Sequence, residues 1–335
     1  MALYTAFISI IKLKKGSIIR YSVTYPYIVI LLVGLLLLPD TQSFAQDSLE
    51  VRPTQLQVEL GGYAAINHTT PFWLRANQWG IVPLHSPLVT GNVHYSLDYK
   101  KKHVVENDSI KIRQFFFSWG IGVNPVFNLG RTNQIVLPEA YLKLKLGSFE
   151  LYSGRWKQLL GVGDSTLTSG FAIMSGNAIP IPKVQLGTRG YVPLKFLKSF
   201  LAFNVGYSHG WFLNTYIQNS YLHQKYAYLR IGKPSATVKM YIGINHQVQW
   251  GGYADYLNGS QLAVNGKLPS SFNDYINIVL AKRPKEFKTA TYTDFDGSYR
   301  IGNHVGGNDL GLEITKKNSR LLAYYQHPLA LLHGS

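Results

Sequence analysis

Residues 141–154, YLKLKLGSFELYSG, decide how the rest of the chain reads. Apolar and polar residues alternate on both sides of Gly147-Ser148, the period of a strand with one apolar face. A two-residue connection with glycine first suits a type II′ hairpin turn, whose first central residue has positive φ. That turn fixes the register. Leu146 then faces Phe149, Leu144 faces Leu151, and Lys145 faces Glu150 on the opposite side. Matched cross-strand pairs of this kind contribute roughly 0.2 to 1 kcal/mol each.

The pattern spreads outward in both directions. In LQVELGGYA, Leu56, Val58, Leu60 and Ala64 oppose Gln57, Glu59 and Tyr63. In FFFSWGIGV, Phe115, Phe117, Trp119, Ile121 and Val123 oppose Phe116, Ser118, Gly120 and Gly122. In LAFNVGYSH, Leu201, Phe203, Val205 and Tyr207 oppose Ala202, Asn204, Gly206 and Ser208. A second hairpin folds YAYLRIG onto TVKMYIGIN around Lys233, Pro234 and Ser235. A third folds LGLEITK onto SRLLAYY around Lys317 and Asn318. Runs of about nine to eleven residues match a tilted membrane-spanning strand and exceed the usual globular length. Gly, Ser, Asn, Lys and Glu dominate the other faces, as a wet lumen requires. A soluble sandwich also alternates, and alternation alone does not say which face points outward. The 23 tyrosines and 6 tryptophans agree with interface girdles and equally with an aromatic-rich lectin, so they support either form.

Residues 1–45 read as a signal peptide: Lys12, Lys14, Lys15 and Arg20 precede the apolar YIVILLVGLLLL, and Ser43 and Ala45 stand at small-residue cleavage positions. The apolar run is too short for a spanning helix. No later apolar run reaches that length, so residues 46–335 read as one unit, either soluble or inserted as a β-barrel. The chain has no cysteine, which excludes disulfides, thiolate metal sites and thiol nucleophiles. The whole chain carries +16; without the leader's four cations and Asp40, 29 basic residues stand against 16 acidic ones. That excess favours an acidic polysaccharide or lipopolysaccharide phosphate. Nucleic acid is excluded as a partner by export and by the absence of a helical basic stripe.

One stretch breaks the alternation. Residues 154–187, GRWKQLLGVGDSTLTSGFAIMSGNAIPIPKVQLG, supply glycines for left-handed angles and two prolines that deny donors to a central sheet. The segment reads as a loop folded over or into the lumen and fixed by its own polar groups, too apolar for disorder. A second long connection is expected over residues 281–308.

Together with upstream TPFWLRANQWGIVP and downstream YYQHP, the loop resembles the capsule-assembly Wzi family, with Gly-Arg-Trp, Leu-Gly-Val-Gly, Ser-Gly-Asn-Ala and Pro-Ile-Pro in the family's order. The likeness runs over residues 57–328. It implies an all-β, antiparallel, transmembrane outer-membrane barrel of eighteen strands acting as a non-catalytic lectin that holds capsular polysaccharide at the bacterial surface, amid outer-membrane lipid and lipopolysaccharide. About ten candidate strands are countable by alternation. The barrel is therefore expected to be incomplete at its C-terminus, the product of a truncated or frameshifted gene. No helical pattern between Ala45 and Leu56 matches the periplasmic bundle of enteric members.

Arg155, Trp156, Asp164 and Asn177 are the first candidates for sugar contact, with Arg75, Trp79 and Arg189 behind them. A tryptophan face stacks on a pyranose, arginine grips a uronate carboxylate in two places, and Asp or Asn meets hydroxyls. The competing structural roles are that Arg155 and Asp164 tie the loop to the wall and Trp156 sits in a girdle. Catalysis lacks a motif: Ser165 and Ser169 sit in no Gly-x-Ser-x-Gly, and Ser169 with His209 or His246 has no support. Among Glu139, Glu150 and Asp164, a glycosidase pair is weakened by Lys145 opposite Glu150. The ten histidines lack ligand spacing and read mostly as loop or lumen groups, so no metal or cofactor is expected. The alternative functions are a diffusion channel and a secreted β-sandwich carbohydrate-active protein.

Overall fold

The structure, a computed structural model, describes residues 48–330 except 107–108, 165, 169, 175, 214–215, 285–292 and 295–298. The leader expected at residues 1–45, Ser165 and Ser169 lie outside the described residues. The hairpin at Gly147 forms in the expected register, β7 (Gln134–Leu146) running into β8 (Phe149–Arg155) with Gly147 at φ +61°. Lys145 and Glu150 stand opposite one another, yet each bonds elsewhere. The Lys145 ammonium donates to Gln114 Oε1 at 2.7 Å, and Glu150 accepts from the Tyr99 hydroxyl at 2.5 Å. Register alone pairs backbones; longer reach lets charged tips choose better partners.

The second hairpin joins β12 (Tyr221–Ile231) to β13 (Val238–Trp250), and the third joins β14 (Asn303–Lys316) to β15 (Ser319–Ala330). β14 takes in residues 303–308, which the sequence reading assigned to the long connection. The remaining strands are β1 (Ser48–Val51), β2 (Thr54–Tyr63), β3 (Leu88–Leu97), β4 (Lys101–Glu106), β5 (Ser109–Gln114), β6 (Phe117–Gly130), β9 (Lys183–Thr188), β10 (Val192–Pro193) and β11 (Leu201–Trp211). β1, β4 and β5 make a small separate sheet. The large sheet runs β15-β14-β13-β12-β11-β9-β8-β7-β6-β3-β2, all antiparallel, with β10 beside β11. Eleven strands lie on that path, against about ten countable by alternation, and β9, six residues long, closes the Gly/Pro loop. Among the described residues the sheet is open: β2 and β15 each have one hydrogen-bonded neighbour. A closed barrel is not seen.

Between β6 and β7 the register slips, with two steps from Asn124 to Val126 set against three from Glu139 to Val136. Pro125 and Pro138 sit at this bulge, where a missing N–H does least harm. The slip moves β7's outward positions from Ile135 and Leu137 to Leu142 and Leu146.

The two faces of the sheet are inverted relative to a soluble protein. Lys183, Gln224 and Asp309 are 4%, 1% and 3% exposed, whereas Leu186, Ile244 and Leu310 on the other face are 54%, 57% and 51% exposed. Two long loops cover the polar face. Residues 156–182 lay Leu160 and Val162 against Tyr226 and Tyr228. Residues 64–87 bring Ile81 and Val82 onto Val126. Tyrosines lie flat over glycines of adjacent strands on that same face: Tyr141 over Gly122, Tyr226 over Gly206 and Tyr228 over Gly243, leaving no room for a Cβ. The helix Phe272–Leu280 packs on the apolar face instead, through Ile278 and Tyr275 on Val248, Trp250 and Tyr221.

Candidate functional site

Where β8 ends, the chain leaves the sheet and Trp156 turns over the polar face. Its ring stacks on Tyr141 with centroids 5.1 Å apart and meets the edge of Tyr152 at 5.2 Å. The Lys143 ammonium stands 5.1 Å from the Trp156 ring and 4.7 Å from that of Tyr99. Trp156, Tyr141 and Lys143 line a cleft of about 500 Å3 together with Thr54, Gln55, His94, Asp98 and Glu139. Strand alternation places His94 on β3 and Glu139, Tyr141 and Lys143 on β7 along one wall. Trp156 and Tyr141 stay partly exposed, and their stacked rings form an apolar part of the cleft lining.

Charges in the cleft are matched in pairs. Lys143 bonds Asp98 at 2.8 Å; Glu139 is approached by His94 at 3.3 Å and by Lys157 at 3.7 Å. Burial pushes the Asp98 carboxyl up, but the hydrogen bond from Lys143 and the surrounding cations outweigh it and hold it below the usual range. Burial likewise holds the Lys157 ammonium below its ordinary value despite Glu139 beside it. The cleft therefore presents an aromatic face ringed by neutralised donors and acceptors, chemistry that fits the faces and hydroxyls of a pyranose. The chain's cationic excess is not concentrated here.

The other sequence candidates fall into separate places. Arg189 adjoins the cleft: its guanidinium lies 4.6 Å from the Tyr99 ring, 3.7 Å from Glu150 and 3.1 Å from Gln114 Oε1. Arg155 points the other way and donates to Leu137 O at 3.2 Å, a carbonyl in the bulge. Arg75, Trp79 and Asn177 gather where the two loops meet. Trp79 N donates to Gly176 O at 2.6 Å, and Asn77 N donates to Asn177 Oδ1 at 2.7 Å. Arg75 ends the short helix Phe72–Arg75, and the partly buried Trp79 packs beside Ile81 and Val82. Asp164 lies elsewhere in the loop, beside β15. It accepts from the Thr166 hydroxyl and N–H at 2.6 and 2.9 Å and from Arg320 at 3.1 Å, and these bonds, Thr166's foremost, hold its carboxyl low. The seven residues thus lie in four separate places: Trp156 and Arg189 at the cleft, Arg155 at the bulge, Arg75, Trp79 and Asn177 between the loops, and Asp164 beside Arg320.

The loop is fixed by polar groups of its own, such as Thr168 with Gly170 and Asp164 with Thr166, and also by the sheet. Side chains of the wall grip its backbone: Asp309 accepts from Val162 N at 3.1 Å, Gln326 bonds Val162 O and Ala172 N, and Gln247 donates to Ile173 O at 3.0 Å. Such apolar loop residues leave their peptide groups needing partners, and the wall supplies them.

His94, Tyr99 and Lys143 escaped sequence reasoning because only the strand register brings them to Trp156. Four of the ten histidines depart from the loop-or-lumen reading. His209 registers opposite His223, and His246 and His304 share a hydrogen bond at 2.9 Å, all on the apolar face near the helix. Cross-strand pairing brought them together, with no short spacing in sequence to announce it. No group of His, Asp or Glu among the described residues is arranged to hold a metal. Compared with protein-family models, curated proteins and solved structures, the chain matches none.

Proposed function

We propose that the chain is the wall of an outer-membrane β-barrel of the capsule-assembly Wzi kind, which holds exported acidic polysaccharide at the cell surface without catalysis. The inverted burial carries this reading. A sheet with long apolar rows exposed and Lys183, Gln224 and Asp309 covered is costly in water and favourable in lipid around a polar lumen. No described helix is long and apolar enough to cross a membrane, so any crossing is made by strands. The Trp156–Tyr141 platform supplies the sugar contact, and a polymer's repeating units supply avidity. The preference for acidic polymers rests on the chain's overall cationic excess.

The test is outer-membrane fractionation of the expressed chain, gel mobility with and without heating, and retention of purified acidic capsular polymer. Heat-modifiable, membrane-borne protein that retains polymer is expected; release without detergent would sink the reading. The covered charges of the polar face also suit a diffusion channel, and deleting residues 161–182 separates the two. Loss of polymer retention marks the lectin, and a rise in ion conductance with retention unchanged marks the channel.

A further inference from the structure

We propose that the helix Phe272–Leu280 is an interfacial anchor seated against a lipid surface bearing phosphate headgroups, an inference that rests on the membrane reading above. Its position is tightly specified. Ser271 and Asp274 form a capping box, Ser271 Oγ accepting from Asp274 N at 3.2 Å and Asp274 Oδ2 accepting from Ser271 N at 2.7 Å. At the other end Lys225 donates to Val279 O, and Arg300 donates to Ala281 O at 2.7 Å, two cations on the carbonyl end of the helix.

One side, Ile278 and Tyr275, packs on the apolar face of the sheet. The opposite side carries Phe272, Ile276 and Leu280, four residues apart and 78%, 41% and 53% exposed. A helix on a water-facing surface carries charge along such a stripe. Here the helix's one ionisable side chain apart from Tyr275, Asp274, is buried at its start. The stripe continues the exposed apolar face of the strands, where Tyr207, Trp211 and Ile244 are exposed, and it ends at the exposed pair Lys282-Arg283. Apolar residues level with the acyl boundary and cations level with phosphate are the arrangement of an interfacial helix.

The chain has no cysteine, so single labels report position cleanly. The full chain is reconstituted in vesicles of phosphatidylcholine and phosphatidylglycerol with brominated acyl chains, carrying an environment-sensitive fluorophore on Ile276→Cys or, on the sheet, Ile244→Cys. Quenching at both positions is expected. Quenching at Ile244→Cys alone overturns the anchor and leaves the barrel standing; quenching at neither overturns both. Efficient crosslinking of two copies through Ile276→Cys would show that a second chain covers the stripe and overturn the proposal. Quenching at position 276 is expected to be stronger in the mixed vesicles than in phosphatidylcholine alone, and K282S/R283S is expected to abolish that difference. Equal quenching of the unsubstituted basic pair in both lipids would overturn the headgroup contact. Asn273→Cys replaces Ile276→Cys if the latter fails to fold.

Discussion

Trp156 and Arg155 are neighbours in sequence with opposite duties. The indole stacks on Tyr141 beside the Lys143 ammonium, while the guanidinium serves a carbonyl in the β6–β7 bulge. Trp156→Ala is expected to weaken oligosaccharide binding about tenfold, the loss of one aromatic contact. Arg155→Ala is expected to leave affinity unchanged and lower stability by about 1 kcal/mol, the net value of one hydrogen bond. Titration calorimetry and denaturant unfolding of the two variants check the pair, and a tenfold loss of affinity in Arg155→Ala would place the guanidinium on the sugar. Trp156 was legible as an aromatic candidate because its residue type carries the chemistry. Its companions His94, Tyr99 and Lys143 were not, since nothing in the sequence says which strand lies beside which until the register is known. Asp164 was legible as polar and loop-borne, but Arg320, 156 residues away, was invisible as its partner.

Among the elements, hairpins were the most readable because short turns set their own register: all three formed where Gly147, Pro234 and Lys317 placed them. The β-bulge was hidden, since prolines at 125 and 138 mark irregularity without saying that the faces of β7 exchange. The long loop was recognised as irregular, but its lodging on Asp309, Gln247 and Gln326 depends on strands far along the chain. Acid should loosen it. The Asp164 carboxyl lies below its usual range, so its contribution is complete above the ordinary carboxylate pKa of about 4 and is lost as pH falls through the lower folded value. Proteolysis of residues 161–182 is expected to rise below about pH 4, with Asp164→Asn showing the faster cleavage already at pH near neutral. Cleavage that is pH-independent in both would remove Asp164 from the clasp. At the tyrosine-covered glycines, Gly243→Val is expected to displace Tyr228 from Asp309 and cost about 1 to 3 kcal/mol in denaturant unfolding, as overpacking does. An unchanged midpoint would mean that the ring moves freely.

For the whole molecule, the strand class was legible from period and length, while the inversion of its faces was not, because alternation is symmetric between inside and outside. The edges left open among the described residues make a further expectation: purified in detergent, the chain should self-associate through β2 and β15, visible as a broad distribution in analytical ultracentrifugation. A single sharp monomer would show that the edges are protected. Those edges also obey a counting rule. Every pairing along the eleven-strand path is antiparallel, so direction reverses an even number of times and β2 and β15 run the same way. They cannot zip to each other except in parallel. Whatever seals the sheet antiparallel has to bring an odd number of strands. A supplied two-stranded hairpin should leave a seam and bring no gain in heat-modifiable protein, where a three-stranded complement should raise the heat-modifiable fraction.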